Sequence, residues 1–523
     1  MSREGVAGMG SRRPSVSASL VALMLALVAC SSDGGDSDGG GSTTSGSTQT
    51  LKVMTFNIEY GGKNISFDNV VAAIKQANPD FVGVNEPGKN IPAIAEQLGW
   101  NYYDAERQLV SKFPIKAPAD NNPRYSYIEV SPGHFVAVAD IHLTSAPYGP
   151  NIIARKNYDL EQVMAVEKKN RVPEATEVAD NLAWNADQGV PSLMFGDFNT
   201  PSHRDWTEEM VGARPQIKFA VEWPVTKMLE DDGFTDSYRA IHPDPTTDPG
   251  LTWPAARPKI PGEWNPGPTT LADRIDMIFS AGLAKPTAST IVGEEGAPGV
   301  TMSETPWPSD HRALLSAFDV NPAPIPDPRP FVAAQPELVT TGDPLGVTFF
   351  ASGADATVAV VPAGAKDTAN AVAEQPVSSG TPVDGFEPAL GLTFDTKGWK
   401  AEAHDVVLMS GGQEVARQSI WVKNPGDKPT VGTTKKTYGP GEGFTVKWYG
   451  APANRWDWVG IYERGGDPHD YILWAYTNGT VAGEYTFGRA DAGPWPLAPG
   501  DYSVYYLLTD GYQQKAGGDF SIK

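Results

Sequence analysis

The chain has 523 residues, of which 40% are hydrophobic and 20% charged, with a formal net charge of -22. That length exceeds one ordinary core and implies about two to four domains, and the composition is that of a soluble globular protein, not a membrane transporter. The acidic balance excludes tight binding to long nucleic acid through a broad basic surface, but not a locally positive cleft around a metal ion.

Arg3, Arg12 and Arg13 precede the apolar stretch "LVALMLALVAC", which is too short to span a bilayer comfortably and reads as an export signal. It ends in the single cysteine, Cys30. This ending resembles the lipobox of bacterial lipoproteins, which implies a lipid on Cys30 and anchoring to a membrane on its extracellular or periplasmic face. A plain cleavable signal with an incidental cysteine is the other reading. No thiol then remains for a disulfide. Residues 31–50 are rich in Gly and Ser and read as a flexible tether.

From Leu51 the pattern changes. "LKVMTFNI" reads as a strand. "SFDNVVAAIKQANPD" reads as a helix capped by Ser66 and closed by Pro79, with Phe67, Val70, Val71 and Ile74 on one face. "DFVGVNE" is the next strand and "IPAIAEQLG" a short helix ending at Gly99. Further strands are "FVAVADIHL", "PSLMFGDFN", "RIDMIFS" and "RALLSAFDV", with a helix around 173–188. Strands mixed with helices favour sheets covered by helices. Residues 320–330, "VNPAPIPDPRP", read as a stiff linker.

Beyond the linker, short strands separated by Gly, Pro and Asp turns predict β-sandwiches. The stretch repeats itself: "GDPLGVTFF" from Gly342 matches "GPGEGFTVKW" from Gly439, and "DATVAVVPAG" from Asp355 matches "DWVGIYERGG" from Asp457. Two sandwich domains, 331–425 and 426–523, of roughly 95 residues each follow. Trp448, Trp456, Trp458, Tyr462, Trp474 and Tyr476 of the second are either core or an exposed binding face. "RWDWVGIY…YILWAY" is similar to the SKICH-type sandwich found beside some phosphoesterase domains.

In the first domain, strand ends carry polar residues: Asn57, Glu86, His142, Asp197 with Asn199, Asp276, and Asp310 with His311. Alternation places Asp197 and Asn199 on one side of their strand. Each residue alone fits a turn, a solvated end or a satisfied core histidine; together, at one end of successive strands, they form one site.

The ordered set "TFNIEYG", "NE", "SKFP", "IHL", "GDFN", "RID" and "SDH" resembles the endonuclease/exonuclease/phosphatase superfamily over about Leu51 to Val320. The resemblance implies an α/β four-layer sandwich, two packed mixed sheets flanked by helices, followed here by the two all-β Ig-like sandwiches. It implies that Glu86 ligates Mg²⁺ or Mn²⁺, with Asn57 supporting, Glu59 where some members have a second acid, and Asp310 a second candidate for metal or water. Asp197 would activate the attacking water, Asn199 bond the phosphate or nucleophile, Asp276 orient His311, and His142 stabilise phosphate or protonate the leaving oxygen. Arg274 adds positive charge near phosphate or forms a structural salt bridge. Members commonly have glutamine before the metal glutamate; here it is Asn85, which puts the loop geometry in question.

About 23 basic against about 36 acidic residues between 51 and 320 tilt the expected substrate towards a small or lipid-linked phosphoester. The expected protein is an exported, monomeric Mg²⁺-dependent phosphoester hydrolase without an evident protein partner, its sandwiches accessory to hydrolysis. The alternatives are an extracellular deoxyribonuclease of the same superfamily and a non-catalytic surface binding protein.

Overall fold

A computed structural model describes residues 47–523 apart from 155–159, 215, 262–264, 266–270, 352, 354, 490, 492 and 493. The export signal, Cys30 and nearly all of the tether lie outside the described residues. The tether's last two residues belong elsewhere: the first strand begins at Gln49, where Gln49 and Thr50 pair with Val320 and Asp319.

The N-terminal region is built on two mixed sheets. The first has seven strands, in the order Val300–Ser303, Ala284–Gly293, Ala313–Val320, Gln49–Asn57, Phe81–Asn85, Leu109–Ser111 and Tyr102–Asp104. The second has six, in the order Ile115–Lys116, Ser126–Ser131, His134–His142, Ser192–Asp197, Asp276–Ala281 and Thr235–Asp236. Leu51, Val53 and Phe81 of the first sheet pack against Val136, Val138, Leu193, Phe195 and Ile278 of the second.

Helices cover the outer faces. Phe67–Ala77 starts where the Ser66 hydroxyl accepts the Asn69 N–H at 3.2 Å and stops at Asn78 in the left-handed region. It buries Val70, Ala73 and Ile74 against Met54, Phe56 and Val84. Ile91–Leu98 shares that core and ends at Gly99. Arg171–Asp187 and Pro224–Asp231 bury Val178, Leu182 and Leu229 on the far sheet. The order is helix, sheet, sheet, helix, the four layers that the family resemblance implies.

The C-terminal 331–523 is all β. In its first half a four-stranded and a five-stranded sheet close over one core that includes Val347, Phe349, Val358, Val406 and Ile420. In the second half a three-stranded and a five-stranded sheet close over Phe444, Val446, Ile461, Val504 and Phe520. The two halves share their strand order, each with a short strand (Leu338–Thr340, Thr437–Tyr438) running parallel to the last strand of its half. Trp448, Trp458 and Tyr462 are buried, whereas Trp456, Trp474 and Tyr476 are only partly so.

Candidate active site

Strand register brings the polar residues together. His142 pairs with Asp197 across parallel strands, and Asp197 pairs with Asp276 across antiparallel ones, giving one row over the second sheet. In the first sheet Asn57 pairs with Asn85, next to Glu86. The "GD" of "GDFN" has a packing cause: a Cβ at Gly196 (φ 141°) would sit 1.9 Å from the Ile141 carbonyl oxygen.

The side chains converge across the two sheets. Asn57 Nδ2 donates to Glu86 Oε1 and to Asp197 Oδ2, each at 3.1 Å. His142 Nε2 lies 3.6 Å from Asp197 Oδ2 and 3.9 Å from Glu86 Oε1. His311 Nε2 lies 3.7 Å from the same Asp197 oxygen, and its Nδ1 bonds Asp276 Oδ2 at 2.9 Å. Asp197 is therefore flanked by two imidazoles and an amide. The cleft above them has a volume of about 1020 Å³ and is lined by Glu86, His142, Asp197, Asn199, Asp310 and His311 among others.

Electrostatics follow from burial among carboxylates. Burial raises the Asp197 carboxyl, and the facing His311 and His142 only partly offset it. Burial alone would lower the His311 pKa; Asp276, then Asp197 and Asp310, outweigh it and hold the imidazole well above its ordinary range. Burial also raises Asp310, opposed by His311 and reinforced by Glu86. Glu59, Glu86 and Asn199 have φ of 53°, 55° and 48°, left-handed values that cost about 1–3 kcal/mol each and persist where surrounding bonds impose them.

Several expected roles change. Asn199 lies beyond the end of its strand, so alternation does not place it; its N–H donates to Asp197 Oδ1 at 2.9 Å and its Nδ2 to the Leu143 carbonyl at 3.0 Å. Arg274 is fully buried, its guanidinium bonding Asp205 and Asp236 at 2.7–3.1 Å, so it serves packing and not phosphate. Glu59 is engaged by Arg257 Nη2 at 2.5 Å and accepts the Asp310 N–H at 3.2 Å. Burial, then Asp310, raises its pKa to about 7 against the pull of Arg257. Asn57, expected to support the metal site, accepts the Glu59 N–H on its amide oxygen at 3.1 Å while its Nδ2 holds the Glu86 and Asp197 carboxylates.

The carboxylate-rich floor fits a divalent cation, because buried acids held near one another are relieved by added positive charge. Glu86 and Asp310 face the cleft and are the residues of the expected set left to hold one. Among the described residues, the group with ligand atoms mutually within 4.8 Å is a different one, Asp197, Asp276 and His311. In that group His311 and Asp276 already bond each other.

Sequence reasoning missed the second layer. Asn85 donates to Asp140 Oδ2 at 3.1 Å and to the Ile141 carbonyl at 2.9 Å, and accepts the Asp197 N–H at 2.8 Å. Ser309 donates to the Asn57 carbonyl at 2.7 Å and accepts the His311 N–H at 3.1 Å. Asp310 accepts Trp253 Nε1–H at 3.2 Å. The C-terminal half also reaches the cleft, through Tyr471 and Trp495, where an accessory role was expected.

The model of the endonuclease/exonuclease/phosphatase family matches residues 54–311. An uncharacterized protein of Caenorhabditis elegans, F14F9.5, is 31% identical over 291 residues, which cover 51% of this chain and 91% of that protein. Among solved structures, an endonuclease/exonuclease/phosphatase from Beutenbergia cavernae is 16% identical with a TM-score of 0.31, covering 71% of this chain and 99% of its own. An AP endonuclease from Archaeoglobus fulgidus is 16% identical with a TM-score of 0.33, covering 52% and 100%. The chain belongs to the endonuclease/exonuclease/phosphatase family, and at that level it is a phosphoester hydrolase or nuclease.

Proposed function

We propose that the chain is an exported, divalent-metal-dependent hydrolase of a small or lipid-linked phosphoester. The observation that carries this reading is the convergence of His142, Asp197 and the His311–Asp276 pair on one cleft with Glu86. Hydrolysis needs negative charge neutralised on phosphoryl oxygens, an aligned water and a proton for the leaving group. Asp197, raised by burial, is the base for the water, and the Asn199 N–H fixes its other oxygen. His311, kept cationic by Asp276, meets a phosphoryl oxygen, and His142 on the opposite side of Asp197 serves the leaving oxygen. A bound Mg²⁺ or Mn²⁺, held by Glu86 with Asp310, supplies further charge neutralisation.

The acidic composition supports a small substrate over long DNA. The N-terminal "LVALMLALVAC" supports export with a lipid at Cys30, and the shared strand order supports reading the all-β region as tandem sandwich repeats. A panel of plasmid DNA, sphingomyelin, a bis-phosphate diester and phosphomonoesters, each with Mg²⁺ and with chelator, tests the reading. Chelator-sensitive turnover of a small ester is expected. Preferential DNA cleavage would make the protein a nuclease, and silence without metal binding would make it a binding protein.

A further inference from the structure

The second half of the all-β region grips the catalytic region on both sides of the cleft. On one side Arg455 Nη2 donates to the Asp140 carbonyl at 3.1 Å and Nη1 to the Pro123 carbonyl at 3.3 Å. Asp140 lies two residues before His142 on the same strand. The Arg455 guanidinium stacks 4.4 Å above the Trp456 ring, and that ring lies 6.3 Å from the His142 imidazole and 5.6 Å from Tyr476. On the other side Lys169 Nζ bonds both oxygens of the buried Asp491, at 2.8 and 2.9 Å, and the Thr486 carbonyl at 2.9 Å. Tyr485 donates to Asn170 Oδ1 at 3.2 Å.

Between these anchors the same half presents aromatic surface to the cleft. Tyr471 is 43% exposed and lines it, as does Trp495, itself stacked on Phe444 at 6.0 Å. Together they give the cleft a rigid aromatic wall beside a charged floor, surface against which an apolar ring can pack. The cleft volume of about 1020 Å³ is that of a small-molecule pocket.

Resting on the hydrolase reading, we propose that the C-terminal half is a built-in wall of the active site. Arg455 and Trp456 hold the His142 strand end from behind, and Tyr471 with Trp495 is the face against which the leaving group of a small, ring-bearing phosphoester packs. Trp456 is a positioning residue; Tyr471 sets specificity. The apolar ring face and the polar floor together suit an alcohol that carries a ring.

The test uses the full chain with Trp456→Ala and Tyr471→Ala. The probes are 4-nitrophenyl phosphate and bis(4-nitrophenyl) phosphate with Mg²⁺, beside supercoiled plasmid. Histidine NMR on the same proteins, with His142 assigned by His142→Gln, needs no turnover. Trp456→Ala should move the His142 ring signals, because the indole ring current is lost, while signals of histidines far from Trp456 stay in place. Tyr471→Ala should raise KM for the ring-bearing ester by about fivefold with kcat nearly unchanged, as for lost uniform binding. Unmoved His142 signals, a wild-type KM in Tyr471→Ala, or plasmid cleavage in preference to both esters would overturn the proposal. If the wild type turns over no probe, the hydrolase reading fails by itself, and the His142 signals still decide whether the wall is there.

Discussion

The side-chain oxygen of Asn85 accepts the backbone N–H of Asp197 at 2.8 Å, so one amide ties the strand that leads into Glu86 to the strand that ends at Asp197. Its Nδ2 binds Asp140 and the Ile141 carbonyl on a third strand. The position where relatives were expected to carry glutamine is thus the pin between the two sheets. Asn85→Ala removes the side-chain partner of the buried Asp197 N–H and of the Ile141 carbonyl and is expected to cost about 2–3 kcal/mol in chemical denaturation. Unchanged stability would show that the two sheets hold this edge without it.

Arg274 gives a contrast between packing and catalysis. Its substitution by Met leaves the buried Asp236 without its main cation and Asp205 with Arg239 alone, an arrangement that costs about 3–5 kcal/mol. The unfolding free energy of Arg274→Met should fall by that amount in chemical denaturation, while KM for a phosphoester, measured where the variant is folded, stays near wild type. A large KM increase with unaltered stability would return Arg274 to the phosphate site.

For His311 the pKa sits well above 6.5 in the folded protein, because Asp276, Asp197 and Asp310 outweigh burial. A raised folded value means that the stabilising contribution is fully present below about 6.5 and is lost as pH rises through the folded value. Asp276→Asn removes the strongest of these partners, so the His311 titration followed by NMR in chelated protein should move down by at least about one unit. The alkaline loss of stability should move with it. An unmoved titration would mean that Asp276 is not what holds the imidazolium.

Asp197→Ala and His311→Ala should each reduce turnover by at least about 10²-fold with the fold intact by circular dichroism. Near-normal rates in both would remove these residues from the chemistry.

Much of this was legible in the sequence, and the limits have physical causes. Periodicity and caps placed the helices starting at Phe67 and Ile91 and the strands that run into Asn57, His142 and Asp197, each read one or two residues too long at its end. Arg274 was ambiguous because a cation beside Asp276 in sequence says nothing of its partners; Asp205 and Asp236 reach it from 69 and 38 residues away. Asn199 defeated the alternation argument because the strand stops at Asp197 and the chain turns through positive φ. The grip of Arg455 on Asp140 spans 315 residues, and local pattern carries no trace of a contact at that range.

The most direct measurement is hydrolysis of bis(4-nitrophenyl) phosphate and 4-nitrophenyl phosphate by the chelated full chain as Mg²⁺ is restored, with Glu86→Gln alongside. The account predicts no turnover with chelator, recovery with Mg²⁺ in the wild type, and in Glu86→Gln a requirement for at least about tenfold more Mg²⁺. Turnover that persists in chelator, or the same Mg²⁺ requirement in Glu86→Gln, would contradict it.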